Sequence, residues 1–221
     1  MDINNINDLD LVFFCGNNFV SRGIVFLEKL KNKLIGGKLR NIKYAHVGIV
    51  ISKKYIVIDN DDPPETKYII ESILSSDCSL FGDGVPDASG GYFFGVQARN
   101  LDEVINSNIK RKSSIGYTSI KNKEYLDNYL DKFNTIFQKY NHLNFPIDIL
   151  RPFNALLPYN NFDNCSLFNF DFIACKKKKT MFCSEFVSYV LDDLKLIDVI
   201  PEKIVPSDLL EYCNEIIVIN Q

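Results

Sequence analysis

Residues 180–191 read Thr180-Met181-Phe182-Cys183-Ser184-Glu185-Phe186-Val187-Ser188-Tyr189-Val190-Leu191, and residues 44–51 read Tyr44-Ala45-His46-Val47-Gly48-Ile49-Val50-Ile51. The first stretch has the apolar spacing of an amphipathic helix, with Cys183 in its first turn. Unpaired N–H groups and the helix dipole favour a thiolate there. The second stretch predicts a buried strand that carries His46, one of only two histidines. A cysteine at a helix start and a histidine on a core strand are the two parts that a cysteine hydrolase needs.

The composition predicts a single domain over residues 1–221, with a possible helical insertion at about 100–178. A net charge of −3 gives no drive towards nucleic acid, so no nucleic-acid partner is expected. Six scattered cysteines form no CxxC pair, so we expect no metal site and no cofactor. The polar stretch Met1-Asp2-Ile3-Asn4-Asn5 and the lack of an apolar run of ~20 residues predict a cytoplasmic protein without a signal peptide or membrane span.

The order of predicted elements indicates an α+β fold, with a mostly antiparallel sheet packed against helices. Strands are predicted at Asp10–Cys15, Tyr44–Ile51, Tyr68–Leu74, Tyr92–Arg99 and Glu215–Ile219, and Tyr55–Ile58 is expected to form a hairpin with Tyr44–Ile51. Helices are predicted at Asn17–Ile35, at about Tyr125–Tyr140, at about Thr180–Leu194 and shortly after Pro206. Asp59–Glu65 and Asn160–Lys179 are predicted loops, and the first lacks the spacing of a calcium loop.

Two further features of the predicted strands point to a site around His46. Strand alternation places Tyr44, His46 and Gly48 on one face, where Gly48 is expected to leave open space for another chain segment or a ligand. Glu71 lies in a strand that is apolar on both faces, and a buried carboxylate costs several kcal/mol unless it is paired. An imidazole on the neighbouring strand would be such a partner, and the carboxylate would fix its tautomer.

Each of these residues, taken alone, also fits a structural role. A core histidine is commonly hydrogen-bonded to backbone, and a glutamate on an edge strand points to water. A cysteine on an amphipathic helix is usually a small core residue. Cys183 lies at the margin of an apolar stripe made of Phe182, Phe186, Val190 and Leu194. The combination of the three is therefore more informative than any one of them.

In combination, the motifs resemble a known family. The motifs are His46-Val47-Gly48-Ile49-Val50, then Ile69-Ile70-Glu71-Ser72, and much later Phe182-Cys183-Ser184-Glu185-Phe186-Val187. Their order resembles the circularly permuted branch of the NlpC-like papain-fold hydrolases, which includes YiiX-like bacterial proteins, their poxviral relatives and, more distantly, lecithin retinol acyltransferase. The resemblance extends to Asp10–Phe14, Gly95–Arg99 and Val205–Leu209, and it covers residues 100–178 poorly.

The resemblance implies a permuted papain-like fold with a catalytic triad. Cys183 would be the nucleophile, His46 the base and Glu71 the residue that orients His46. The backbone N–H of Cys183 would line an oxyanion hole, as its position at a helix start independently predicts. Tyr44, Gly48 and Ser184 are further candidates for binding the oxyanion or the substrate.

The leading hypothesis is a cysteine hydrolase that cleaves an amide bond, peptide or isopeptide, through an acyl-enzyme thioester. A lipid-directed thiol hydrolase or acyltransferase is the alternative, favoured if Phe133–Tyr159 lines an apolar cavity. A non-catalytic binding or virion-associated protein with the same fold would instead have Cys183 buried away from His46, or Glu71 facing solvent. The run Lys176, Lys177, Lys178 and Lys179 is a candidate contact for phosphate or anionic lipid, although charge runs are usually solvated loops.

Overall fold

The six strands in the described part of the chain form one antiparallel sheet. The computed structural model describes residues 5–15, 19–34, 43–73, 83–121, 127–141, 143–144 and 181–219. The strands run in the order β4-β3-β2-β1-β5-β6. Their bounds are β1 Leu11–Phe14, β2 His46–Ser52, β3 Lys67–Ile73, β4 Gly95–Asn100, β5 Ile115–Thr118 and β6 Ile217–Ile219. The prediction of an antiparallel sheet combined with helices is confirmed.

Five helices are described, together with short 3₁₀ turns. Their bounds are α1 Phe19–Leu34, α2 Leu101–Lys110, α3 Asp127–Tyr140, α4 Cys183–Asp193 and α5 Pro206–Leu209. Neither α2 nor β5 is among the elements predicted from the sequence. The start of α2 has a clear physical cause, because the Asn100 side chain accepts hydrogen bonds from the N–H groups of Asp102 and Glu103 at 3.0 and 3.2 Å. No helix in the described ranges combines the length and apolar character that crossing a bilayer requires.

The centre of the sheet is buried on both faces, which explains why β1, β2 and β3 are mostly apolar. On one face, which we call the α4 face, Val47, Ile49 and Ile51 of β2 pack in the core that contains α3 and α4. On the other, the α2 face, Val50 packs with residues of β1, β3 and α2. Successive strand residues point to opposite faces, so neighbours in β2 serve different cores.

The predicted hairpin at Tyr55–Ile58 is wrong. Lys53–Tyr55 is a 3₁₀ turn, and β2 pairs with β1 and β3 instead. The cause is the segment before β3, whose carbonyls accept hydrogen bonds from Lys53, the first residue after β2. The Lys53 N–H donates to Thr66, and the Lys53 ammonium donates to the carbonyls of Asn60 and Asp62 at 2.5 and 2.7 Å. The Lys53 ammonium is therefore bound by backbone carbonyls of the acidic loop Asp59–Glu65.

Several predictions fall on residues that the structure does not describe. They are the loop at Asn160–Lys179, the lysine run Lys176–Lys179 and the part of the aromatic stretch after Asn144. His142 and three of the six cysteines, Cys78, Cys165 and Cys175, also lie outside the described residues. The proposed contact of the lysine run with anionic groups therefore stays a prediction.

Candidate active site

Cys183 is the first residue of α4, and the chain before it is tied to the sheet. The Met181 carbonyl accepts a hydrogen bond from the Ser72 hydroxyl on β3, and the Met181 N–H donates to Asn144 at 2.9 Å. The Glu185 carboxylate accepts from the Phe182 N–H at 3.2 Å, which helps to start the helix. Cys183 is 6% exposed, and its N–H lies in the first turn, where an N–H has no intrahelical acceptor.

His46 is the first residue of β2, at the end of the sheet where α4 begins. Its ring lies against Phe14 on the α2 face, with ring centroids 5.7 Å apart. The Nε2 atom is hydrogen-bonded to Oε2 of Glu71, and Cys183 lies close enough to the ring to raise its pKa. Because Glu71 occupies Nε2, Nδ1 is the nitrogen left for the thiol. The side chain is 23% exposed, so solvent reaches the ring.

Glu71 is fully buried, and both of its carboxylate oxygens are paired. Oε2 contacts His46, while Oε1 accepts from Nε and Nη2 of Arg99 at 2.9 and 2.6 Å. The expected contact between Glu71 and His46 is therefore present. An edge-strand glutamate that faces water is excluded, because Glu71 is 0% exposed on a strand with neighbours on both sides.

Arg99 and Asp83 extend the site, and neither is among the site residues predicted from the sequence. Arg99 lies on β4, opposite Ile69 and on the same face as Glu71, and its Nη1 donates to Asp83 Oδ1 at 2.5 Å. The sequence signal was present but ambiguous. Gln97 and Arg99 alternate with apolar residues, a pattern that is also typical of a strand face open to water.

The charges of this group reinforce one another. Burial by itself raises the pKa of Glu71, but the Arg99 charge, with the His46 contact, outweighs burial and lowers that pKa to about 2. Burial lowers the pKa of His46, but the negative charge and hydrogen bond of Cys183, followed by those of Glu71, raise it to about 10. The ring therefore keeps its second proton at neutral pH, as an imidazolium beside the Glu71 carboxylate.

The prediction that Tyr44 shares the face of His46 is wrong. The Tyr44 ring packs on Phe13, with centroids 5.6 Å apart, on the α4 face. Its hydroxyl reaches across β1 to β5, where it would lie 2.6 Å from a Cβ placed on Gly116. Alternation fails here because β2 begins only at His46, so Tyr44 lies outside the strand. Its hydroxyl points away from β3, the strand that holds Glu71.

The space beside Gly48 is filled rather than open. A Cβ placed on Gly48 would lie 2.5 Å from Cγ1 of Ile69 and 3.1 Å from Cβ of Glu71. The register of β2 and β3, when continued past Ile49 and Ile70, also places Gly48 opposite Glu71. The expected close approach of another chain segment is thus made by β3. Gly48 lets β3 bring Glu71 within reach of His46.

Alanine at position 48 is expected to destabilise the protein by about 1–3 kcal/mol, because Ile69 must move in a packed core. The matched control is Gly23→Ala in α1, where a Cβ meets nothing within 4 Å. That change is expected to stabilise the protein by up to about 1 kcal/mol, through helix propensity. Urea unfolding of the two variants measures both values. Equal effects of the two substitutions would contradict the close approach at Gly48.

Ser184 uses its side chain to hold α4 against the following loop. Its hydroxyl donates to the Ile204 carbonyl at 2.8 Å, and its own carbonyl accepts from the Ser188 hydroxyl at 2.7 Å. The Ser184 hydroxyl is therefore engaged within the fold. What the start of α4 offers to a ligand is the backbone N–H groups of its first turn.

Comparison of the chain with protein-family models and with curated protein sequences gives no match. Within the described residues, no group of three or more histidine, cysteine, aspartate or glutamate side chains could hold a metal ion. The site is thus defined by its own geometry. A thiol at a helix start, an imidazole and a buried carboxylate meet at one end of the sheet, drawn from α4, β2 and β3.

Proposed function

We propose that the chain is a cysteine hydrolase that cleaves an amide bond, in a peptide or an isopeptide, through a thioester acyl-enzyme. One observation carries this proposal: Cys183, at the start of α4, lies close enough to the His46 imidazole to raise its pKa, and Nε2 of that imidazole is held by a buried carboxylate. A nucleophile, a base and a group that orients the base form the common pattern of covalent catalysis. The order His46, Glu71, Cys183 and the antiparallel sheet support a permuted papain-like fold.

In the proposed mechanism, Cys183 reacts as a thiolate paired with the His46 imidazolium. The thiolate attacks the carbonyl carbon of the substrate, and a tetrahedral intermediate forms. The proton on Nδ1 of His46 then passes to the leaving amine, and the acyl group stays on Cys183 as a thioester. Water attacks the thioester while the neutral ring accepts a proton, which releases the acid and restores the ion pair.

The proposed oxyanion hole is the first turn of α4. The backbone N–H of Cys183 has no intrahelical acceptor, and the positive end of the α4 dipole adds to its field. The Tyr44 hydroxyl points towards β5 and the Ser184 hydroxyl is bonded to Ile204, so neither side chain is included. The acyl carbonyl would approach from the side on which His46 is exposed.

Two observations on the described residues bear on the alternatives. Phe133, Phe137 and Tyr140 of α3 are buried in the core of the α4 face, so this part of the aromatic stretch is accounted for by core packing. A non-catalytic protein was expected to have Cys183 away from His46 or Glu71 open to solvent. Neither feature is present.

Acyl-enzyme trapping tests the proposal. The protein is incubated with p-nitrophenyl acetate or p-nitrophenyl octanoate at neutral pH, and the adducts are mapped by mass spectrometry. We expect a hydroxylamine-labile acyl group on Cys183, which is lost in Cys183→Ala and in His46→Ala. Cys213→Ala is the matched control and should keep the adduct, since Cys213 is buried in the core.

Two outcomes would count against this assignment. An adduct that forms equally well in His46→Ala would show that Cys183 acts without the imidazole, and the proposed hydrolase would be wrong. Strong preference for the octanoyl ester would instead favour the lipid-directed alternative. Cleavage of a peptide amide that also slows the acetylation of Cys183, because both substrates compete for the same thiol, would support amide hydrolysis.

A further inference from the structure

The charged side chains behind His46 form one continuous buried chain. Glu71, Arg99 and Asp83 have side-chain exposures of 1%, 3% and 11%, and each neighbouring pair is both an ion pair and a hydrogen bond. Buried ion pairs are poor stabilisers, because apolar residues of similar volume are often as stable or more so. We therefore expect the buried Arg99 to have a role besides stabilising the fold.

The contacts of Arg99 assign the two oxygens of the Glu71 carboxylate to different partners. Nε and Nη2 both donate to Oε1, which leaves Oε2 to His46. The third arm, Nη1, is anchored by Asp83. Because the guanidinium is a rigid planar fork, this anchor fixes the direction from which Oε1 is held. The orientation of Oε2 towards the imidazole follows from it.

We propose that Arg99 is a positioning residue that keeps Glu71 ionised and aimed at His46, so that the Cys183–His46 pair stays assembled in acidic solution. The catalytic meaning of this role rests on the proposed function. The role itself concerns the protonation of Glu71 and the state of the His46 ring, which can be observed without a substrate.

The groups that face Glu71 support this assignment. Burial works against the carboxylate, and the Arg99 charge is the largest influence that lowers its pKa. His46 faces it from β2, Arg99 faces it from β4, and Asp83 lies behind Arg99. Of the elements packed on β3, α4 carries Cys183 and the buried Glu185, whereas Asp102 and Glu103 of α2 are exposed. The guanidinium is thus the permanent cation in contact with Glu71.

The test uses the small number of histidines. With ¹⁵N-labelled histidine the spectrum holds two imidazoles, His46 and His142, and His142→Ala assigns them. In the wild type we expect no carboxylate-linked change of the His46 signals between about pH 6 and about pH 3, because Glu71 has a pKa of about 2. In Arg99→Gln that change should appear about one pH unit or more higher. The acid limb of Cys183 alkylation by iodoacetamide should move with it.

Arg111→Gln is the matched control, since Arg111 is an exposed arginine, and it should leave both profiles unchanged. Arg99→Lys keeps the charge but not the fork, so its acid transition should fall between those of the wild type and Arg99→Gln. If Arg99→Gln does not fold, Arg99→Lys decides alone. The proposal would be overturned if the acid transition of the His46 signals in a folded Arg99→Gln matched that of the wild type. Where only Arg99→Lys folds, the same result in Arg99→Lys would overturn it.

The two proposals can fail separately. A shifted His46 transition without any acyl adduct on wild-type Cys183 would support the role of Arg99 and reject the hydrolase. An acyl adduct on wild-type Cys183, together with an unshifted His46 transition in the Arg99 variants, would support the hydrolase and reject the role of Arg99. The two measurements are independent because imidazole spectra do not depend on turnover.

Discussion

Replacing Glu71 by leucine is expected to lower the free energy of unfolding by about 3–5 kcal/mol, because it removes one partner of a buried ion pair. The substitution leaves the Arg99 guanidinium without its two hydrogen bonds to Oε1, and it leaves Nε2 of His46 without its acceptor. Asp83 still pairs with Nη1, so the loss should lie towards the lower end of this range. Urea unfolding followed by circular dichroism measures the change.

The matched control is Glu65→Leu. Glu65 also forms an ion pair, with Lys54, but its side chain is 76% exposed, and exposed pairs contribute little. The control should change the free energy of unfolding by less than about 0.5 kcal/mol. If Glu71→Leu costs no more than Glu65→Leu, the buried chain of charges does not hold the end of the sheet together. The orientation of His46 would then need another explanation.

Iodoacetamide should alkylate Cys183 at about pH 6, and His46→Ala should slow that reaction by about 10–100-fold. An ordinary thiol, with a pKa of about 8.5, is only about 0.3% thiolate at that pH, so its reaction is slow. The His46 pKa of about 10 keeps the imidazolium present across the range in which the thiolate reacts. The rate at Cys183 should therefore exceed that of the other cysteines at about pH 6, in a mass-spectrometric assay that follows every cysteine separately.

Two other cysteines are internal controls for the same assay. Burial raises the pKa of Cys213 to about 12, and its thiol lies 3.2 Å from the Leu209 carbonyl. Burial also raises the pKa of the partly exposed Cys15. Both should react slowly at about pH 6 and should not respond to His46→Ala. If Cys183 behaves like Cys15, the thiol and the imidazole do not act as a pair.

The parts of the fold that could be predicted from the sequence are those with long apolar patterns. β2, β3 and α4 are deeply buried, so a mostly apolar run or a helical spacing extends over seven or more residues. β5 has only four residues, Ile115–Thr118, and forms because β1 and β6 flank it. These two neighbouring strands come from opposite ends of the chain, so the local sequence pattern around β5 does not indicate the pairing. The Asn100 cap of α2, by contrast, was a readable signal.

The candidate site divides in the same way. His46, Glu71 and Cys183 could be selected because each is unusual in its own stretch: a rare histidine, a carboxylate among apolar residues and a thiol at a helix start. Arg99 could not be selected, because its role depends on β4 lying beside β3 and on their register. Tyr44 was misplaced because alternation was extended two residues beyond the start of β2. Register and strand ends are set by tertiary contacts, which local spacing does not contain.

The position of Cys183 late in the chain determines when it can pair with His46 during synthesis. During synthesis, β2, β3 and β4 leave the ribosome with His46, Glu71 and Arg99 long before Cys183 is made. The thiol meets the imidazole only after α4 has emerged and docked against β2 and β3, which requires closing a long loop. A nascent or truncated chain that ends before α4 therefore carries the imidazole and the carboxylate without Cys183, and the catalytic pair of the proposed hydrolase would form only as the last part of the fold docks.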